Sequence, residues 1–516
     1  MLNISQLLKS DTNSMLLPAI TILIFLFFLR KLFLTTNSTR KRLPPSPKTL
    51  PIIGNLHQIG PLPHRTLHRL SRHHGELMLL HFGQKPVLVV SSARAACEIM
   101  KTQDVIFADR PQLRIFKRLL YNCKDVATAP YGNYWKQIRS VCVLQLLSSK
   151  RVQSFRHIRE EEVDNMIREI QQSSLTAVNL SRLFANFTND VICRVAFGMR
   201  FKGKIAGIDF KELMEKQEVL LGGVHVGEFI PWLSWINYVN GVENEIKKVA
   251  KDMNTCLEAI IQQHLDQRDH DQSSVKGNND EKTKDLVDVL LGLQHDYTDH
   301  SGLDQESIKA IVSDMFVAGT TTTYAMLEWA MSELLRNPKA MESLQRDVRG
   351  NWGDKTGITD SNLDKMTYLK AVIKETFRLH PSVPLLLPRI SMQDATVNGY
   401  DIPARTLVMI NAWAIHRDAT SWDEPEEFKP ERFLDSAVDY KGQDFDLIPF
   451  GSGRRGCPGI YFAISNIELA LANLVNKFDW RLPNGVDGTS LDMMELPGLT
   501  AHRAAPLMAL AIPRFS

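Results

Sequence analysis

Pro449-Phe450-Gly451-Ser452-Gly453-Arg454-Arg455-Gly456-Cys457-Pro458-Gly459 sets one cysteine among glycines, arginines and prolines, and a helix-like run, Ile460 to Phe478, follows at once. The glycines let the backbone turn tightly around the sulfur and approach a flat ligand. The arginines and the start of the following helix bring positive charge near the thiol, which favours thiolate. A thiolate is an electron-donating axial ligand for haem iron. Taken alone, the stretch also reads as a turn that buries a structural cysteine.

It does not stand alone. The pattern Phe-x-x-Gly-x-Arg-x-Cys-x-Gly is filled by Phe450, Gly453, Arg455, Cys457 and Gly459. On these residues the chain resembles the cytochrome P450 haem-thiolate monooxygenases, and further motifs in the same order carry the resemblance over nearly the whole sequence. The resemblance implies a mainly α fold with small β-sheets, the haem-thiolate fold. It also implies haem b (iron protoporphyrin IX) as cofactor and Cys457 as the axial ligand of its iron.

Asp304 to about Arg336 reads as one long helix, capped by Asp304 and stopped by Asn337-Pro338. In its middle lie Ala318-Gly319-Thr320-Thr321-Thr322-Thr323. Threonine is poor helix filler, so the run predicts function or a local widening. Ala318 and Gly319 leave room for a flat ligand and for oxygen, and hydroxyls can pass protons. The resemblance assigns Thr322 to the threonine beside the oxygen and counts Phe316 among the substrate-pocket residues. Here the chain departs from the family pattern, because the usual acidic position holds Thr321. Proton delivery then depends more on water or on neighbours such as Glu328, and such transfer commonly contributes orders of magnitude in rate.

Trp135 and Arg139 form Trp-x-x-x-Arg and share one helix face. An indole N–H and a guanidinium there can jointly hold a carboxylate; a core tryptophan beside a surface arginine is the simpler alternative. The resemblance makes that carboxylate a haem propionate and gives Arg110 and Arg389 the same role, with Arg455 and Phe450 completing the cofactor contacts. Glu375 and Arg378 form Glu-x-x-Arg and can pair along a helix. The resemblance adds Arg432 of Pro430-Glu431-Arg432-Phe433 to that pair, as a structural lock behind the haem. Between these motifs, His380 to Arg389 is rich in proline and apolar residues. By the same resemblance Val383, Leu385, Leu386 and Leu387 wall the substrate pocket, joined by Leu499 of Pro497-Gly498-Leu499-Thr500.

At the amino-terminal end, Met15 to Leu29 carries no charge, and Leu32-Phe33-Leu34 resumes the apolar run after Arg30 and Lys31. A helix of about 20 residues spans a bilayer, and the two basic side chains can reach the head groups. No small-x-small cleavage site follows, so a retained anchor is expected rather than a signal peptide. Arg30, Lys31, Arg40, Lys41 and Arg42 after the span put the body on the cytosolic side. Leu43-Pro44-Pro45-Ser46-Pro47 stiffens the backbone into a spacer. The expected organisation is an anchor and basic flank over 1–43, a proline-rich hinge over 44–63 and a catalytic domain over 64–516.

The bulk numbers agree. The chain has 516 residues, 44% of them hydrophobic, enough for a large core. Its 61 basic and 58 acidic residues leave a net charge of +3, too balanced to imply a nucleic-acid partner. Its six cysteines are scattered, without zinc-ligand spacing, as buried thiols of a reducing compartment would be. Leu77–Phe82 and Val87–Val90 predict strands around a Gln84-Lys85 turn. Gly222 to Asn240 predicts broken helices over the site, and Asp266 to Lys284 an exposed polar loop.

Phrases such as Leu43-Pro44-Pro45-Ser46-Pro47 and Leu327-Glu328-Trp329-Ala330 are similar to plant microsomal enzymes of the seventy-one clan. That resemblance implies an endoplasmic-reticulum membrane protein and an NADPH-dependent haemoprotein reductase as electron donor. The other expected partners are O2, membrane lipid and a small lipophilic substrate such as a terpenoid, coumarin, alkaloid or phenolic. Thr321 keeps a second reading open, a haem-thiolate dehydratase or isomerase that needs no delivered protons. A non-catalytic haem protein is a third class, which the Cys457 loop and the small residues at 318 and 319 disfavour.

Overall fold

A 32-residue helix, Gln305–Arg336, runs through the middle of the molecule with most of its side chains buried. At 1.5 Å per residue it is about 48 Å long. Asp304 caps it, accepting from the Ser307 amide at 2.8 Å, and Asn337-Pro338 ends it. Residues 317–322 are the exception to its burial: none of them is buried, and Ala318 is exposed. An opening therefore lies at the centre of an otherwise packed helix. The helix runs through the threonines without a break. Thr321 and Thr322 satisfy their hydroxyls on the carbonyls of Val317 and Ala318, one turn back, the bond by which threonine fits into a helix interior.

The computed structural model describes residues 41–514 apart from 174–175, 201–202, 224, 274–283, 297–302 and 353–356, together with Pro18, Thr21, Ile22, Phe25 and Leu26. The expected anchor, Met15 to Leu34, otherwise lies outside the described residues; the five named are helical. Among the described residues no helix is long and apolar enough to cross a membrane.

The opening is framed by helices α1 (Asn133–Val141), α2 (Leu180–Phe197), α4 (Gln305–Arg336), α5 (Thr367–Leu379) and α6 (Ile460–Lys477), while α3 (Phe210–Gly222) touches α4 without lining it. Helices α2, α5 and α6 pack directly on α4. To one side lies a small sheet in the order β1 (Leu77–Phe82), β2 (Lys85–Val90), β4 (Leu407–Ile410), β3 (Arg389–Ile390). β1 and β2 form a hairpin whose turn is Gly83-Gln84, one residue before the expected place. β2 pairs in parallel with β4, and β3 runs antiparallel to β4. Val87 to Val90 are all fully buried, as a strand covered on both faces requires. A second sheet joins Phe478–Arg481, Met508–Pro513 and Ala177–Asn179 directly after α6.

One expectation needs correction. Asp266 to Ser273 is not loop but the end of a helix, Val242–Ser273; polar composition alone does not distinguish a helical end from coil. The proline stretch is docked on the body. Pro44 and Pro47 are buried, and the Pro45 carbonyl accepts from the Leu79 amide at 2.9 Å, so the stretch lies against β1. Gly222 to Asn240 does break into short pieces, Val226–Phe229, Pro231–Leu233 and Ile236–Val239, which leave Trp232, Trp235 and Tyr238 exposed.

Candidate functional site: a cavity between the cysteine loop and the long helix

The cysteine loop is shaped by backbone bonds. The Cys457 amide donates to the Phe450 carbonyl at 2.9 Å and the Gly456 amide to Gly453 at 3.0 Å. The Gly459 amide, just before α6, donates to Cys457 Sγ at 3.3 Å. Burial pushes the Cys457 thiol up, while that amide and Arg139 pull it down; the net direction is up. Nearby positive charge is therefore not enough to ionise the sulfur. A metal ion bound to the sulfur would take the place of the proton and stabilise the thiolate.

Cys457 lines a cavity of about 250 Å³ whose opposite wall is the opened stretch of α4. Ala318, Gly319 and Thr322 face it, and the Thr322 hydroxyl donates to the Ala318 carbonyl at 2.6 Å. Thr321 does not line it; its hydroxyl is turned to Val317. Glu328 does not line it either. It accepts from the Ser181 hydroxyl and the Arg503 amide, facing α2 and the carboxy-terminal loop, so it is no neighbour of the opening.

Arg110, Arg139, Arg389 and Arg455 all line the same cavity, with Trp135 and Phe450. Burial lowers the pKa of each of these four guanidinium groups, that of Arg455 to about 10. Three are held by protein. Arg110 donates to the carbonyls of Ala127, Leu387 and Pro388, and Arg389 bonds Asp104 and the Ser452 carbonyl. Arg455 bonds Ala108 and Ala129, with its guanidinium carbon 4.1 Å from the Trp135 ring centre. Arg139 makes no hydrogen bond or ion pair among the described residues. Trp135 gives its indole N–H to the Val126 carbonyl at 3.0 Å rather than to the cavity.

This is a fitting cradle for haem. Four cations face one cavity that a single acidic residue, Asp314, lines. A flat macrocycle with two carboxylates supplies the missing anions, as charge-assisted pairing with arginine favours. Thr323 Oγ1, buried on the cavity wall without a partner, adds a further unmet polar atom.

Of the expected pocket residues, Val383, Leu386 and Leu387 line the cavity. Phe316, Leu385 and Leu499 do not. Phe316 stacks on Phe197 at 4.7 Å and meets Phe210 edge-on, inside the main core. Leu385 packs with the apolar face of the sheet, beside Phe82 and Val87. Leu499 lies against Gly222 at the end of α3. Phe316 and Leu385 each sit one residue from a lining neighbour, Met315 and Leu386, and turn the other way, whereas no residue near Leu499 lines the cavity.

Glu375, Arg378 and Arg432 meet behind the cysteine loop. Arg378 bonds Glu375 through Nε and Nη2 at 2.7 and 2.9 Å, and Arg432 reaches the same carboxylate at 3.0 Å. Glu375 and Arg378 are fully buried, and Arg378 further caps the carbonyls of His416, Pro425 and Glu427.

Asp314 went unnoticed in the sequence. It stands four residues before Ala318 and eight before Thr322, on one face of α4, so counting along that face would have found it.

A family model described as Cytochrome P450 matches residues 44–505. Cytochrome P450 736A117 of Prunus mume is 53% identical over 525 residues, covering 100% of both chains. The (+)-menthofuran synthase of Mentha piperita is 50% identical over 499 residues, covering 96% of this chain and 98% of its own. A solved zebra fish cytochrome P450, determined with abiraterone, superposes with a TM-score of 0.73 at 24% identity, covering 88% of this chain and 100% of that one.

Proposed function

The chain belongs to the cytochrome P450 family, a monooxygenase with haem b as its cofactor, and from that premise we propose that it oxidises a small lipophilic plant metabolite at the cavity between Cys457 and α4. The reactions in view are hydroxylation and oxidative cyclisation or desaturation. The observation that carries this reading is the cavity itself: a cysteine sulfur on one wall, Ala318, Gly319 and Thr322 on the other, and apolar residues such as Val383 and Leu386 around them. Terpenoids, coumarins, alkaloids and phenolics fit such a lining. One relative is named for making menthofuran.

In this reading Cys457 Sγ would hold the iron, and the Gly459 amide would steady the sulfur's charge. Arg139, whose guanidinium has no hydrogen-bond partner among the described residues, would hold the propionates with Arg110, Arg389 and Arg455. When bound, the haem supplies oxygen activation and one-electron chemistry. Gly319 and Ala318 leave space on the α4 wall, and Val383, Leu386 and Leu387 would orient the substrate and exclude water. The Thr322 hydroxyl donates to the Ala318 carbonyl and, by rotating, can turn its O–H to the cavity as a hydrogen-bond donor.

Electrons come, in this reading, from an NADPH-dependent haemoprotein reductase, with the body cytosolic and the chain held in the endoplasmic-reticulum membrane by a single span. The exposed Trp232, Trp235 and Tyr238 support contact with lipid, since aromatic side chains favour the membrane interface. The dehydratase or isomerase reading keeps one supporting observation: no carboxyl stands at position 321, and the threonine there is turned from the cavity.

The deciding experiment incubates membranes holding the chain and a plant reductase with a plant metabolite extract, with and without NADPH, followed by mass spectrometry. Products heavier by one oxygen, or lighter by two hydrogens, that form only with NADPH are expected. Product formed equally without NADPH overturns the monooxygenase reading in favour of the second.

A further inference from the structure

Residues 125–129 form a loop whose amides and carbonyls are engaged on two opposite sides. On one side the Val126 and Ala127 amides donate to Asp314 Oδ2 at 2.8 and 3.2 Å. On the other, the Val126 carbonyl accepts from Trp135 Nε1 at 3.0 Å, the Ala127 carbonyl from Arg110 Nε at 2.9 Å, and the Ala129 carbonyl from Arg455 at 2.6 Å. One short loop thus separates a carboxyl on α4 from three side chains that surround the cofactor cavity. Asp125 opens the loop. It is fully buried, accepts from the Thr128 amide and hydroxyl, and is followed directly by the amide that donates to Asp314 Oδ2, so the two buried carboxyls flank one peptide unit. Two buried carboxyls this near each other cannot both ionise cheaply. One proton between them turns repulsion into a hydrogen bond.

We propose that Asp125 and Asp314 form a proton-sharing carboxyl pair that fastens the 125–129 loop to α4 and, through that loop, positions Arg110, Trp135 and Arg455 for the haem. The inference rests on the cavity being the haem site and deepens it by naming what keeps the arginines in place. Asp314 and Asp125 are positioning residues; neither needs to touch the reacting atoms.

Burial, with Asp125 next, lifts the Asp314 carboxyl well above the usual carboxylate range. The folded protein therefore holds this proton more firmly than the unfolded chain does. The contribution of the pair is complete at acid pH and is lost as pH rises through its folded-state value. The titratable and charged groups facing it are Arg110 and Arg455 on the cofactor side, Cys123 and Tyr134 on the loop's flanks, and Cys142 just after α1. Burial pushes Cys123 up to about 11, Cys142 up to about 12 and Tyr134 up as well. These three stay uncharged near neutral pH, and the arginines supply the charge the pair feels from those elements.

The test follows haem transfer from purified full-length holoenzyme to excess apomyoglobin between about pH 6 and pH 9. Asp314→Ala should release haem about tenfold faster than wild type, because two loop amides and Asp125 lose their partner together. Asp314→Asn should stay within about twofold, its amide oxygen serving the loop and its NH2 serving Asp125. Wild type should release haem faster as the pH rises, and Asp314→Asn should abolish that rise. Release from Asp314→Ala at the wild-type rate, or from Asp314→Asn as fast as from Asp314→Ala, overturns the proposal. If Asp314→Ala yields no holoenzyme, Asp125→Asn decides. Loss of the alkaline rise supports the pair, and a rise like that of wild type overturns it. A chain that takes up no haem at all overturns the reading of the cavity instead, which is a separate failure.

Discussion

A methyl group placed on Gly453 would fall 2.1 Å from the Met100 carbonyl oxygen, on a residue whose φ is +69°; one placed on Gly319 would meet nothing closer than Ile192 Cδ1 at 3.4 Å. Gly319 lines the cavity, and Gly453 belongs to the cysteine loop that supplies the facing wall, turned to the segment behind it. Gly453 is demanded by the protein itself, because the cysteine loop is pressed on the segment before it and only glycine adopts that backbone at no steric cost. Gly319 is not demanded by the protein. Its neighbours would tolerate a side chain, and alanine suits a helix better. What excludes a methyl there is the molecule the cavity is meant to hold. The cysteine wall is thus determined by folding and the α4 wall by chemistry, and substitutions should separate the two.

The largest effect tests the sulfur. Cys457→Ala should abolish the thiolate-type carbon monoxide spectrum and bring turnover to background, because no other cysteine lines the cavity. An unchanged spectrum breaks the comparison at its root. Next comes the support behind the loop. Glu375→Ala leaves Arg378 buried without its carboxylate, and removing one partner of a buried pair costs about 3–5 kcal/mol. Chemical denaturation of the holoenzyme reads this directly, and a loss below about 1 kcal/mol, the range of an exposed pair, would contradict the knot's role in holding that wall.

The glycine pair sharpens the contrast. Gly453→Ala should destabilise by about 3 kcal/mol, combining a disfavoured backbone with a backbone clash. Gly319→Ala should leave stability unchanged or raise it by up to about 1 kcal/mol, while turnover falls about tenfold because the methyl narrows the space above the cofactor. Equal destabilisation by the two would mean that both walls are set by packing alone.

These two walls were also unequally legible in the sequence. The cysteine loop could be read because local chemistry is written locally: Gly453, Arg455, Cys457 and Gly459 act within one stretch. The same holds for the long helix, whose cap and stop are adjacent to it. Partnerships that depend on how the chain returns were harder. Phe316 looks like a pocket residue by position, yet its ring packs on Phe197 and Phe210, which no spacing in the sequence brings to it. Leu385 and Leu386 are neighbours, and only the second reaches the cavity, because Leu386 takes a φ of +51° that redirects the chain. Glu328 was named as a source of protons from its nearness in sequence, but six residues along a helix carry it to the side facing Ser181.

Thr322→Ala should lower product formed per NADPH consumed about tenfold, less than the roughly hundredfold or more typical of a lost proton-transfer group, because water in the cavity can pass protons in its place. The smallest effect is expected at the neighbouring position. Thr321→Asp restores the acid common in the family, and if proton supply is limiting the yield per NADPH should rise. The geometry keeps that rise small. The Thr321 hydroxyl donates to the Val317 carbonyl at 2.9 Å, outside the lining of the cavity. An ionised carboxylate cannot make that bond and is repelled by the same carbonyl, so it must turn away to find a donor. A gain of about twofold or less is therefore expected from a group acting through water rather than by contact. A tenfold gain would mean that the side chain at 321 can swing into the opening, and that the α4 wall adjusts to its chemistry in a way the cysteine wall, held by Gly453, does not.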